Sequence, residues 1–180
     1  MFASGAYDAP WRQIERNVMI NRRIFAALGA VALMGSVAQA QTLPTRRIPA
    51  ALAVEAASET VAACAKQGYH ETAQVVDADG VVIATIRGDV AGAHTLDSAF
   101  YKAYTAASFK SDTLGLAERA KGEDSILPLA RLPHVMFFGG GVPIKLGDET
   151  IGAIGASGAP GGKLDACARA GIDKIKDRLQ

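Results

Sequence analysis

The hydrophobic and polar positions of this chain switch between helical and strand-like spacing. From Ala50 to Gln67, apolar residues recur at steps of three and four, which predicts one buried face of a helix that ends at Gly68. Two β-branched runs, Thr72–Val76 and Val81–Arg87, flank an Asp-Gly pair, and this pattern predicts a β-hairpin. The positions expected on the buried face of the first helix are Val54, Ala57, Val61 and Cys64.

Helical and strand-like patterns continue to follow each other further along the chain. The predicted elements are a helix from Thr95 or Asp97 to Phe109, a short helix over Thr113–Lys121, a strand over Val135–Phe138, a hairpin turning at Gly147-Asp148 and a last helix over Lys163–Leu179. Because hairpins dominate this order, we predict an α+β fold. Its sheet is expected to be five-stranded and mostly antiparallel, with helices packed on it.

The segment from Gly139 to Gly171 is dense in glycine and contains no nucleophile elbow, phosphate loop or zinc-ligand spacing. It opens with three consecutive glycines, Gly139, Gly140 and Gly141. A backbone without Cβ atoms permits either the approach of a ligand or the close packing of a helix or second subunit. Packing is the favoured interpretation, and the three glycines are kept as candidate ligand-contact residues.

The first 40 residues have a different character from the rest. Arg22-Arg23 precede an uncharged, mostly apolar run of fourteen residues, Ile24–Val37, and Ala38-Gln39-Ala40 fits a small-x-small cleavage site. This pattern predicts a secretory signal peptide that is cleaved after Ala40, with Met19 as the true start. The run is shorter than the roughly 20 residues that span a bilayer. An uncleaved N-terminal anchor is the alternative.

The expected organisation is therefore a leader over residues 1–40, a linker over 41–49 and an α/β domain over 50–180. The expected location is the periplasm or the extracellular space, with no stable membrane span after cleavage. Residues 41–180 carry 15 basic and 16 acidic side chains, which gives no sign of a nucleic-acid partner or an anionic membrane surface.

The chain has two cysteines, Cys64 and Cys167, and each falls in a predicted helix. Export would place them where a disulfide persists, and two helices lying side by side would bring them together. The alternative is a pair of buried free thiols that act as small apolar residues, and this is the favoured interpretation.

Several ordered segments resemble the GlcG/HbpS-type haem-binding family. They are Arg87-Gly88-Asp89, Thr95–Ala99, Lys102–Ala107 with Phe109, Gly139–Ile144, Ile151–Gly155, Ser157-Gly158 and Asp165-x-Cys167-Ala168-x-Ala170-Gly171. The resemblance extends from about Ile48 to Leu179. It implies a profilin-like domain that forms symmetric oligomers, from dimers up to octamers. It also implies haem binding in some members, with haem sequestration or extracellular haem or redox sensing as the role, whereas other members accompany glycolate or aromatic-acid catabolism.

A haem site needs an apolar slot, an axial ligand and cations for the propionates. The chain has three histidines, and His94, in the loop before the second helix, is the preferred axial ligand, followed by His134 and then His70. A solvent-facing loop histidine is the alternative for His94, and a strand-edge residue the alternative for His134. Thr105 matches a family position linked to haem contact, and a hydroxyl bonded to its own helix is the alternative there.

Arg87 and Lys102 are the candidates for binding an anionic ligand group, because guanidinium and ammonium groups pair with carboxylates. An ion pair of Arg87 with Asp89 is the alternative role for the arginine. The first hypothesis is thus an exported haem-binding protein. The second is an accessory binder or enzyme for a small carboxylate that uses Arg87 and Lys102. The residues favour binding over catalysis, since they contain no recognisable nucleophile or acid–base constellation.

Overall fold

Within the part of the chain that the structure describes, the sheet has four strands in the order β2-β1-β4-β3, and all neighbouring strands run antiparallel. The computed structural model describes residues 44–122 and 125–180; the predicted leader and its cleavage site lie outside them. The strands are β1 (Thr72–Asp77), β2 (Val82–Arg87), β3 (Gly141–Leu146) and β4 (Glu149–Ser157). The α-helices among these described residues are α1 (Ala50–Ala65), α2 (His94–Phe109), α3 (Thr113–Arg119) and α4 (Gly161–Ile175), with 3₁₀ turns at Leu127–Arg131 and Lys176–Arg178.

The α+β class and the antiparallel sheet are confirmed, but the predicted count of five strands is wrong. The missing strand is Val135–Phe138, which is irregular. The amide of Met136 donates to Thr105 Oγ1 at 2.9 Å, and the carbonyl of Phe138 accepts from Thr113 Oγ1 at 2.8 Å. Because side chains of α2 and α3 already satisfy these backbone groups, the segment has no need of a neighbouring strand.

The helices cover both faces of the sheet. Val75 and Ile154 share an apolar cluster with α1 and α4, whereas the next residue of β1 and the preceding residue of β4, Val76 and Ala153, pack with α2. This alternation is the two-residue period of a strand that is buried on both faces. On α1 the buried residues are Ala53, Ala56, Ala57, Thr60 and Cys64. Val54, expected on this face, is instead 48% exposed.

Cys64 and Cys167 form a disulfide between α1 and α4, with Cα atoms 5.5 Å apart, so the favoured interpretation of free thiols is wrong. Small residues bring the two helices together. A Cβ atom on Gly171 of α4 would collide with the carbonyl of Ala56 and the hydroxyl of Thr60 on α1. The two backbones therefore approach closely enough for the sulfur atoms to bond.

A pair of glycines sets the position of α2 on the opposite face. Gly141 of β3 and Gly155 of β4 are directly paired across the sheet. A Cβ atom on Gly155 would collide with the carbonyl of Ala99, and one on Gly141 with the carbonyl of Lys102. The backbone of α2 thus lies in a groove that only glycine leaves open.

No helix within residues 44–122 and 125–180 is long and apolar enough to cross a membrane.

We expect Gly155→Ala to destabilise the fold by about 3 kcal/mol, because the new methyl group must push α2 off the sheet. Gly115→Ala is the matched control. Gly115 is exposed on α3, its added Cβ would meet nothing within 4 Å, and alanine favours the helix, so stability should rise by up to about 1 kcal/mol. Urea unfolding followed by circular dichroism measures both changes. A Gly155→Ala protein as stable as the control variant would contradict this account of the packing.

Candidate functional site

A cavity of about 470 Å³ opens between the first half of α2, the end of β4 and the irregular segment before β3. This volume lies within the usual range for small-molecule sites. The side chains that give the cavity its chemistry are His70, His94, Ser98, Lys102, Met136 and Phe138.

One stripe of α2 supplies three of these side chains. His94, Ser98 and Lys102 follow each other at steps of four residues and so lie on one face of the helix. Hydrogen bonds fix the start of α2 against β1. The hydroxyl groups of Thr72 and Thr95 are 2.7 Å apart, and the Gln74 amide donates to the carbonyl of Leu96 at 2.8 Å.

Lys102 is the charged group at the inner end of this stripe, and its side chain is only 2% exposed. Its Nζ donates to the carbonyl of Ala156 at 2.9 Å and lies 5.1 Å from the centroid of the Phe138 ring. An ammonium group carries three N–H donors. Ala156 takes one of them, so the group keeps donor capacity on the cavity side, where an anion would be recognised.

Burial also changes the ionisation of Lys102 and of its neighbour Glu71. Desolvation lowers the pKa of Lys102 to about 8, and the negative charge of Glu71 opposes this shift. Desolvation raises the pKa of Glu71 to about 8, and the positive charge of Lys102 opposes that shift. At neutral pH the pair is therefore mostly a neutral carboxyl and a charged ammonium.

His94 is the first residue of α2 and not, as predicted, part of the preceding loop, and it lies at the rim of the cavity. The guanidinium of Arg87 donates to the carbonyl of Ala91, which ties the end of β2 to this loop. The imidazole lies against Gly92, where an added Cβ would be 2.6 Å from His94 Cε1. Arg87 thus shapes the loop and does not line the cavity.

The remaining predicted site residues lie elsewhere. Thr105 donates to the carbonyl of Tyr101 at 2.7 Å and accepts from Met136, so it anchors the irregular segment. The ring of His134 packs among those of Phe100, Tyr101 and Tyr104, with centroids 5.3 to 5.7 Å away. Neither Thr105 nor His134 lines the cavity.

The three glycines predicted as ligand contacts also lie in packed surroundings. A Cβ atom would collide with the backbone of Gly161 at Gly139, with the carbonyl of Ala156 at Gly140 and with α2 at Gly141. Gly140 has φ +116°, a conformation that side chains disfavour. These contacts fit the packing interpretation.

Sequence reasoning missed Ser98, Ser157, Met136 and Phe138 and ranked His70 last among the histidines. His94 and Lys102 are separated by two helical steps of four residues, and this spacing was a signal that could have found Ser98 between them. The Ser157 hydroxyl lies 2.6 Å from that of Ser98. Ser157 joins the site only because β4 pairs with β1, where it is the partner of Thr72, close to His70.

Comparison with known proteins identifies the family. The model of the family described as "Haem degrading protein HbpS-like" matches residues 48–173. The chain belongs to this HbpS-like family. The crystal structure of HbpS superposes with a TM-score of 0.71 at 33% identity, covering 79% of this chain and 99% of HbpS.

Two further relatives are more distant. The crystal structure of a PduOC–haem complex has a TM-score of 0.66 and 23% identity, covering 72% of this chain and 95% of that one, and shows the shared fold. An uncharacterised 15.0 kDa protein from Citrobacter freundii, encoded between dhaT and dhaS, is 34% identical over 86 residues. That alignment covers 47% of this chain and 61% of the relative.

The side chains of the cavity fit haem. Imidazole and thioether groups are common axial ligands of haem iron, and His70, His94 and Met136 place both types at one opening. Phe138 offers an aromatic wall, and the Lys102 ammonium offers a partner for a carboxylate.

The raised pKa of Glu71 predicts that thermal stability falls with pH. In the unfolded chain this carboxyl loses its proton near pH 4.5, whereas in the folded protein it keeps it up to about pH 8. Between these two pH values the folded state binds one more proton than the unfolded chain. The contribution of Glu71 to the free energy of unfolding is therefore full below pH 4.5 and is lost as the pH rises to about 8. We expect Glu71→Gln to flatten the decline of Tm in this window, as measured by circular dichroism.

Glu59→Gln is the control for this titration. Glu59 is a half-buried carboxylate of α1 that pairs with Lys66 at 3.6 Å, and its loss should leave the decline of Tm in place. The lowered pKa of Lys102 makes the stability of the protein rise with pH only above about pH 8, so Lys102 does not affect Tm in the same window. Equal slopes for the wild type and Glu71→Gln would show that Glu71 ionises normally.

Proposed function

We propose that this protein binds haem in the cavity beside α2. The observation that carries the proposal is the buried Lys102 cation at the inner end of a cavity whose rim holds two imidazoles and a thioether. Membership of the HbpS-like family supports it. A buried cation is costly unless an anion or fixed dipoles compensate it, and the propionate of a bound haem would supply that anion.

His94 is the proposed axial ligand. It lies on the same helix as Lys102, two turns away, so an iron ligand and a propionate partner are held on one rigid element. His70 and Met136 flank the cavity as the other groups able to approach the iron. When bound, haem would supply redox chemistry at its iron, while the protein orients it and limits its contact with water.

We further propose that the protein acts outside the cytoplasm, as a haem-sequestering or haem-sensing component. The N-terminal signal-peptide pattern supports export. The disulfide between Cys64 and Cys167 supports it too, because such bonds persist mainly in oxidising compartments.

Self-association is part of the proposal. Several apolar side chains are exposed around the irregular segment, namely Leu127, Leu129, Leu132 and Phe138. Exposed apolar residues grouped on one region are typical of protein interfaces. A homo-oligomer, from dimer to octamer, is expected in size-exclusion chromatography with light scattering.

The second candidate function is binding of a small carboxylate, and the buried Lys102 favours it as well. Arg87 was predicted from the sequence as a second anion-binding residue beside Lys102. In the structure, Arg87 instead donates to the carbonyl of Ala91, outside the cavity. A carboxylate ligand would therefore rely on Lys102 together with the hydroxyl groups of Ser98 and Ser157.

Replacement of His94 tests the axial ligand. In a haemin titration, the wild type should develop a shifted Soret band, and His94→Ala should weaken haemin binding at least tenfold, since one coordination bond is lost. His134→Ala is the matched control, because His134 is also exposed but is stacked in the aromatic cluster away from the cavity. Unchanged binding by His94→Ala would overturn the assignment of this ligand.

Replacement of Lys102 tests the anion partner. Lys102→Met keeps the volume and apolar contacts but removes the charge, so binding of haemin should weaken about tenfold, the value of one charge-assisted hydrogen bond. Lys145→Met, at an exposed position of β3, should have no effect. Isothermal titration with haemin and with glycolate separates the two functions. Binding of glycolate without binding of haemin would replace the haem proposal by the carboxylate one.

A further inference from the structure

A second cluster of chemically active side chains lies on the opposite face of the sheet from the cavity. The sulfur atoms of Cys64 and Cys167 and a carboxylate oxygen of Glu71 all lie within 4.8 Å of one another. Cys64 ends the buried face of α1, Cys167 lies on α4, and Glu71 immediately precedes β1. Three separate elements therefore direct these groups to one point.

Glu71 has no partner that explains its place in this cluster. Its side chain is 0% exposed, and neither carboxyl oxygen has a hydrogen-bond partner among the residues that the structure describes. A buried polar group without a partner is costly and indicates a ligand or a second state of the site.

The groups match the ligands of a thiophilic divalent metal ion. Zinc in proteins is bound by thiolates at about 2.3 Å and by carboxylates at about 2.0 Å, so ligand atoms of one tetrahedral site lie roughly 3.5 to 3.8 Å apart. In the cluster, the carboxylate is already near both sulfur atoms. The bond between the sulfur atoms is what keeps them from acting as ligands, since thiolates and not disulfides bind the metal.

We infer that Cys64, Cys167 and Glu71 form a redox-gated site for zinc or a similar thiophilic divalent ion, which is closed by the disulfide and opened by its reduction. The Cα atoms of the two cysteines are 5.5 Å apart, so the sulfur atoms can separate by rotation of their side chains while α1 and α4 stay in place.

The chemistry balances with an external dithiol as the reductant. One thiolate of the dithiol attacks a protein sulfur, the second resolves the mixed disulfide, and two electrons and two protons pass to Cys64 and Cys167 while the dithiol becomes a disulfide. The metal ion then replaces the protons of both thiols and the proton of the Glu71 carboxyl, which pass to solvent.

The surroundings provide access and charge balance. The amide of Gln67, an exposed residue after the end of α1, contacts Cys167 Sγ at 3.6 Å. An exposed side chain therefore borders the disulfide at this sulfur. Two thiolates and a carboxylate around a divalent ion leave one negative charge, and the ammonium of Lys102 already interacts electrostatically with Glu71. Lys102 would offset that charge.

Cadmium titration of the whole chain tests the site. The protein is reduced with a phosphine, which does not compete for the metal, and Cd²⁺ is added while the thiolate-to-cadmium absorption band is followed. We expect one Cd²⁺ per reduced chain, none per oxidised chain, and displacement of Cd²⁺ by Zn²⁺. Far-ultraviolet circular dichroism should show that the reduced chain stays folded.

Two variants probe the ligands, and one serves as a control. Glu71→Gln and Cys64→Ser should each weaken Cd²⁺ binding to the reduced chain at least tenfold. Asp165→Asn removes another buried carboxylate of α4, two residues from Cys167, and should leave the affinity unchanged. Absence of stoichiometric binding, unchanged affinity in both ligand variants, or unfolding on reduction would each overturn the inference. None of these outcomes depends on whether the chain binds haem.

Discussion

The close approach of α2 to the sheet is the constraint on which the candidate site depends. Gly141 and Gly155 are paired across β3 and β4, and together they form the groove that receives the backbone of the helix. Without Cβ atoms at these two positions, the helix lies near enough for Lys102 to reach the carbonyl of Ala156 on β4. The ammonium group is therefore held by the main chain of the sheet, at a fixed depth, whether or not a ligand is present.

This packing brings two ionisable groups into one region of low dielectric. Lys102 and Glu71 are both almost completely buried, and desolvation is the largest influence on the pKa of each. Their mutual attraction does not fully compensate the loss of water, which is why both pKa values move to about 8. A cavity whose cation changes protonation close to physiological pH can bind anions with an affinity that falls in alkaline solution.

Local patterns in the sequence predicted most of the fold. The first helix, which ends at Ala65, three residues before the predicted end at Gly68, the Asp-Gly hairpin and the antiparallel sheet all follow from spacing and turn chemistry within a few residues. Val135–Phe138 was misjudged because its β-branched and aromatic composition suits a strand. Its backbone groups instead find partners in Thr105 and Thr113, which lie far away in the sequence. The strand propensity of a short segment contains no information about such distant partners.

The site shows the same division between local and distant information. His94 and Lys102 were predicted separately, as a loop imidazole before the second helix and as an anion-binding cation, whereas the structure places both on one face of α2 together with Ser98. His70 and Ser157 meet only through the pairing of β1 with β4. The disulfide was misjudged for a related reason, since the close contact of α1 with α4 depends on Gly171 and an alanine-rich surface, and neither specifies a partner in the sequence.

The two-residue period of the strand that begins at residue 72 relates the cavity to the cluster of Cys64, Cys167 and Glu71. His70 and Thr72 point to the face that carries α2, whereas Glu71 between them points to the face that carries α1 and α4. The two sites are therefore one residue apart along the chain but are separated by the sheet. Lys102 is the charge that both sites share, since it lines the cavity and interacts with Glu71. A metal ion that converts Glu71 into a bound carboxylate changes the field at Lys102, and the anion affinity of the cavity must change with it, because linkage between two sites on one charge is reciprocal.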